Sequence, residues 1–156
     1  MKPANESEML NRMAAYCSAV ERCVSDVRKK VADAGLTAEA GERITAALLK
    51  AKFIDEQRFA RSFVHDKLRL NNWGRIKIAY ELRCRNIPPD ICSDALGEID
   101  EQDYMSILLS VLEKKKKSLH RENEREAFAK LLRFAAGRGF ENSETVRCLN
   151  QLFRST

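Results

Sequence analysis

The chain has 156 residues, 44% hydrophobic and 33% charged, with a formal net charge of +5. That much apolar material excludes a wholly disordered chain, and 6 Gly and 3 Pro exclude collagen-like and low-complexity classes. No apolar run approaches the roughly 18 residues of a membrane span, and the first eight residues lack the apolar stretch of a secretory signal, so a cytoplasmic protein without membrane contact is expected.

Apolar residues recur at spacings of three and four, and alternating β-branched runs are absent, which predicts helices. The first covers about 7–23, with Leu10, Met13, Cys17 and Val20 on one side. Ser25 is expected to cap a second, with Val27 and Val31 inward, ending at Gly35. Thr37 is expected to cap a third through Ile44 and Leu48, and Asp55 a fourth through Phe59, Phe63, Val64 and Leu68. Asn71-Asn72-Trp73-Gly74 breaks that helix. A fifth carries Ile78 and Leu82 and stops at Asn86. Pro88-Pro89 suits the first turn of a sixth, with Ile91 and Ala95. Asp100 opens a seventh that ends in Lys114-Lys115-Lys116-Lys117, cations favoured at a helix C-terminus. An eighth runs through Phe128 and Leu131 to Gly137 or Gly139, and Ser143 is expected to cap a ninth.

These helices group in threes. Gly35-Leu36, Asn86-Ile87 and Gly139-Phe140 each pair a residue tolerant of left-handed backbone with a large apolar one, the signature of a helix C-terminus. Ile54-Asp55-Glu56-Gln57 recurs as Ile99-Asp100-Glu101-Gln102, with Phe59 matching Tyr104 and Phe63 matching Leu108. The expected architecture is all-α: three tandem three-helix repeats stacked into an elongated, curved solenoid. The expected divisions are an N-terminal arm at 1–12 and repeats at 13–64, 65–108 and 109–156. A monomer is expected.

Charge is segregated along the chain. Residues 1–57 are net neutral, 58–85 carry +6, 86–104 carry −6 with no base, and 114–138 carry +6. Basic blocks of this kind steer toward phosphates or acidic partners, or are neutralised by the acidic block within the stack. Trp73 lies between two basic helices, as an exposed contact or, preferably, as a plug between units.

Catalytic chemistry has no foothold. His65 and His120 lack metal-ligand neighbours at helical spacing. The five cysteines form no C-x-x-C and are expected to be buried small hydrophobes. Asp55-Glu56 and Asp100-Glu101 sit at helix N-termini, where negative charge is locally favourable. A non-enzyme without a cofactor or metal is expected.

The run Phe53-Ile54-Asp55-Glu56-Gln57-Arg58-Phe59-Ala60-Arg61-Ser62-Phe63-Val64, then Trp73-Gly74 opening a basic helix, then Leu82-Arg83-Cys84-Arg85-Asn86-Ile87, resembles the RecX family of bacterial recombinase regulators. Arg133-Phe134-Ala135-Ala136-Gly137-Arg138-Gly139-Phe140 is similar to the family's third unit, and the likeness spans about residues 13 to 153. Three positions depart from the pattern: Glu56 for an aspartate, Arg75 where proline commonly follows the glycine, and Asn86 for a glycine. The resemblance implies a protein that lodges in the groove of the RecA–DNA filament. Such a protein modulates, mostly by inhibition, RecA ATPase, strand exchange and co-protease activity in recombination, repair and the SOS response, and touches single- or double-stranded DNA directly or within the filament. The residues expected to face the filament are Lys67, Arg69, Arg75, Lys77, Arg83, Arg85 and Lys114 to Lys117, that is Lys114, Lys115, Lys116 and Lys117. The rival expectations are a stand-alone nucleic-acid-binding module and a protein-only helical scaffold.

Overall fold

A computed structural model describes residues 5–154. Residues 1–4 of the expected arm, and the last two of the chain, lie outside them. The described residues form helices and no strand: α1 (Glu6–Ala19), α2 (Val24–Asp33), α3 (Ala38–Lys50), α4 (Glu56–Arg69), α5 (Arg75–Cys84), α6 (Pro89–Gly97), α7 (Glu101–Lys117), α8 (Glu124–Gly137) and α9 (Asn142–Arg154). Packing groups them as α1–α3, α4–α6 and α7–α9, here units one, two and three. Positions 64 and 65 lie inside α4, and 108 and 109 inside α7.

Local chemistry explains most of the boundaries. Thr37, Asp55 and Asp100 each accept a hydrogen bond from the backbone N–H three residues on, which satisfies one of the orphan donors of a first turn. Asn5 and Asn123 do the same for α1 and α8. Gly35, Asn86 and Gly139 all take positive φ (87°, 59° and 91°), so the three junctions read as equivalent in sequence are equivalent in backbone.

Two caps differ from expectation. Helix α2 begins after Cys23, whose N–H donates to the Asp26 carboxylate at 3.1 Å. Ser25 lies inside the first turn because its hydroxyl donates to the Arg85 carbonyl of unit two. Helix α9 begins at Asn142, which places Ser143 in its first turn. The preceding Glu141 is held by unit-three and unit-two side chains, described below.

The interior divides into two cores. Met9, Met13, Cys17, Val27, Val31, Ile44, Leu48 and Ile54 form one, wholly within unit one and the turn leaving it. The other takes in Cys23 from unit one and is continuous through units two and three, from Phe59, Ala60, Phe63, Val64, Ile78, Leu82 and Ile87 to Tyr104, Leu108, Leu131, Phe140 and Leu149. The units therefore follow one another in a row, with two and three fused and one attached. Four cysteines are buried as expected, but Cys84 is exposed, since the inner side of α5 is filled by Ile78 and Leu82.

The two joints differ in chemistry. Unit one is clasped to unit two by polar groups: Arg58 donates to Glu21 and to the carbonyls of Lys52 and Phe53, and Asn86 donates to the Ser25 hydroxyl. Glu56 is half buried there beside Asp26, and burial pushes its carboxyl above the usual value. Units two and three instead meet backbone to backbone. The Gly74 N–H donates to the Arg138 carbonyl at 2.8 Å, and the Ile76 N–H to the Gly139 carbonyl at 3.0 Å. A Cβ on Gly74 would enter the Gly139 peptide, and one on Gly139 would strike Lys77.

Candidate functional site

The candidate cations lie on units two and three, and their surroundings sort them. Arg75 is built into the joint. Its backbone N–H donates to the Tyr104 hydroxyl at 3.0 Å, and its guanidinium donates to Glu141 at 2.9 Å and to Glu101. The guanidinium carbon stands 3.8 Å from the Tyr104 ring centroid. Tyr104 in turn donates to Glu141. Burial alone would raise the Glu141 carboxyl, but the hydrogen bonds from Tyr104 and Arg75 outweigh it and hold the group below the ordinary value. Burial and the bond to Glu141 push the Tyr104 phenol well up.

Two more of the expected cations have acidic partners. Arg69 pairs with Asp103 at 3.2 Å, and Arg85 with Glu81 one turn before it at 3.1 Å. Arg69 and Arg75 thus meet the acidic block of residues 86–104, which neutralises part of its basic neighbour.

The lysines have aromatic company in place of carboxylates. Trp73 packs edge-on against Phe63 at 6.4 Å between centroids, and the ammonium groups of Lys67 and Lys77 stand 4.8 and 4.6 Å from its ring centroid. The aromatic and cationic groups against its ring come from its own unit, and it packs on the edge of the larger core at the α4–α5 turn, while Gly74 next to it forms the joint. Lys115 lies 5.0 Å from the Phe134 ring centroid and Lys116 4.5 Å from that of Phe153. Such contacts orient an ammonium group without cancelling its charge. Arg83, Lys114 and Lys117 make no ion pair among the described residues.

A groove of about 400 Å³ gathers some of these groups, lined by Asn72, Val111, Lys114, Lys115, Ser118, Phe134 and Arg138. It holds no carboxylate and spans units two and three. The Arg138 guanidinium stands over Phe134 at 5.1 Å and donates to the Asn71 carbonyl. Lys114 and Lys115, near the end of α7, therefore face a cross-unit wall that only the folded joint creates. Among the described residues no group of three His, Cys, Asp or Glu side chains is placed to hold a metal ion, and no helix is long and apolar enough to cross a membrane.

Ile76 and Tyr80 carry no charge and lie outside the set of residues expected to face the filament. They are 57% and 56% exposed, one turn apart on α5. The signal was present: they lie out of phase with the buried Ile78 and Leu82, so α5 carries apolar residues on both sides.

The remaining members of the family motif are structural. Ile54 is buried in the core of unit one, Asp55 caps α4 and Arg58 clasps Glu21. Phe59, Ala60, Phe63, Val64, Leu82, Ile87 and Phe140 fill the larger core.

A row of three-helix units, with the candidate cations on the second and third, defines a tandem helical-repeat protein. Residues 55–96 match the family model of the RecX second three-helix domain, and 101–149 that of the third. The chain is 30% identical over 147 residues to the regulatory protein RecX of Prosthecochloris aestuarii, covering 94% of each. It is 26% identical to the regulatory protein RecX of Lactobacillus johnsonii, of which it spans about half the length (49%). The crystal structure of RecX from Lactobacillus salivarius superposes with a TM-score of 0.85 at 19% identity, covering 94% of this chain and 96% of that one. A second RecX crystal structure gives 0.82 at 24% identity, covering 89% and 68%. The chain belongs to the RecX family.

Proposed function

We propose that this protein regulates the RecA recombinase by binding the RecA–DNA filament and slowing its ATP turnover, strand exchange and co-protease action. The observation that carries the reading is a set of cations left without carboxylate partners on units two and three: Lys67, Lys77, Arg83 and Lys114 to Lys117. They sit within a family whose relatives are described as regulatory proteins. Arg75 belongs to the joint and acts by holding the two cationic units in register. Arg69 and Arg85 share their charge with Asp103 and Glu81. The lysine groove fits a phosphodiester backbone, because a carboxylate-free wall with ammonium, guanidinium, hydroxyl and carboxamide groups matches its charge and hydrogen-bond acceptors. The protein consumes no cofactor and acts in the cytoplasm as a monomer.

The test is a titration into a single-stranded-DNA-stimulated RecA ATPase assay at physiological salt. A dose-dependent fall at protein well below the DNA-binding capacity supports action on the filament. A fall only near saturation of the DNA, lost steeply with salt in the absence of RecA, would identify a stand-alone nucleic-acid binder. No effect on turnover and no DNA binding would identify a protein-only scaffold. Reversing Lys114 and Lys115 to Glu is expected to weaken binding roughly tenfold or more at 0.15 M salt and to flatten the salt dependence by about two phosphate contacts.

A further inference from the structure

We infer that the outer side of α5 is a protein-docking face: Ile76 and Tyr80 form its apolar centre, Lys77 and Arg83 its charged flank, and its partner is an acidic, amphipathic protein surface. The inference rests on the proposed function in taking the recombinase subunits of the filament as the source of that surface.

Helix α5 has two apolar sides. Ile78 and Leu82 are fully buried and account for its packing. Ile76 and Tyr80, at i and i+4, share a side that stays more than half exposed among the described residues. The exposed Cys84 extends the same line by one further turn. A single exposed apolar residue is ordinary, but a stripe on a helix already anchored by its other side is not needed for the fold. The stripe is also held still. The N–H groups of Gly74 and Ile76 are bonded to the carbonyls of Arg138 and Gly139, so the first turn of α5 is fixed to unit three. Side chains presented on a rigid element lose little freedom on binding.

Charge selects the occupant. Lys77 and Arg83 lie beside Tyr80 at i−3 and i+3, and neither has a carboxylate partner among the described residues. The one acid of α5, Glu81, is taken by Arg85. A partner must therefore supply apolar groups at the centre and carboxylates at the edge. A nucleic acid satisfies the cations but leaves Ile76 without a stacking role, since that side chain has no π face. A second copy docked through the same side sets Lys77 and Arg83 against their own counterparts, and like charges in contact oppose association.

The experiment compares wild type, Ile76→Gln with Tyr80→Gln, and Lys77→Glu with Arg83→Glu. Each is titrated by fluorescence anisotropy against RecA filaments on single-stranded DNA and against the bare DNA, with sedimentation and thermal melts in parallel. The apolar double variant is expected to melt as wild type, because both positions are exposed. It should bind filaments roughly 30-fold more weakly and leave bare-DNA affinity within about twofold. The charge-reversed variant should lose filament affinity in a salt-dependent way. Filament affinity within twofold of wild type for the apolar variant overturns the inference. So does an equal loss on bare DNA, which makes the face a nucleic-acid contact, or a wild-type dimer abolished by the apolar variant, which makes it a contact between copies. If wild type itself binds no filament, the proposed function fails first, and this inference falls with it.

Discussion

Gly74 has an ordinary φ of −82°, so its need for glycine comes from space, not from backbone freedom. Its α-carbon stands against the Gly139 peptide, and Gly139 itself needs both a positive φ and the room beside Lys77. Gly74→Ala should therefore cost about 2 kcal/mol or more in a urea melt, by forcing the two units apart. Gly41→Ala is the control. A Cβ there meets Val31 at an ordinary 3.6 Å inside α3, and the change should be neutral or stabilise by up to about 1 kcal/mol. Next to the glycines, Tyr104→Phe removes the acceptor of the Arg75 N–H and one donor to Glu141, a loss of about 1–2 kcal/mol. The same cluster sets an acid limit. The Glu141 carboxyl is lowered from 4.5, so its contribution is present above the ordinary value and disappears as pH falls through the lowered one. Melts of wild type taken between pH 5 and pH 2 should lose stability more steeply than those of Glu141→Gln. Arg75 was read in the sequence as a ligand-facing cation because it sits in a basic block. Its partners, Glu101 and Glu141, come from a unit whose proximity no spacing along the chain reveals.

At the scale of elements, the caps show what was legible. Thr37, Asp55 and Asp100 could be read because their bonds are local, three residues long. Ser25 and Ser143 have the same chemistry but lie one or two residues into their helices, because Ser25 is drawn to Arg85 and the start of α9 is pinned through Glu141. The repeated Asp caps give a matched prediction: Asp55→Ala and Asp100→Ala should each cost about 1 kcal/mol in thermal or urea melts. Helix α5 shows how surroundings divide one charge block. Counting charges along it pointed to Arg75, Lys77, Arg83 and Arg85, yet one of these is structural and another is paired. The more telling feature was a second apolar stripe, visible in phase but overshadowed by the cations around it.

For the whole molecule, the threefold repeat was written in the junction pairs and in the duplicated Ile-Asp-Glu-Gln, so the order and number of units could be read directly. The inequality of the joints could not. It depends on which surfaces meet: polar side chains between units one and two, and backbone hydrogen bonds, ion pairs and a shared core between units two and three. Hydrogen exchange should separate them. Amides of Val27, Val31 and Ile44 should open at lower free energy than those of Ile78, Leu108 and Leu131, because the smaller core stands alone. Equal protection across all six would contradict that division.

The clasp at Glu21 and Arg58 also has a mechanical meaning. Tension applied between the two ends of the chain must cross both joints, and side-chain ion pairs in water yield before interlocked peptide groups backed by a common core. Stretched between beads, the molecule should lengthen in two steps, with the segment before residue 55 paying out at the lower force and the remainder giving way later as one piece.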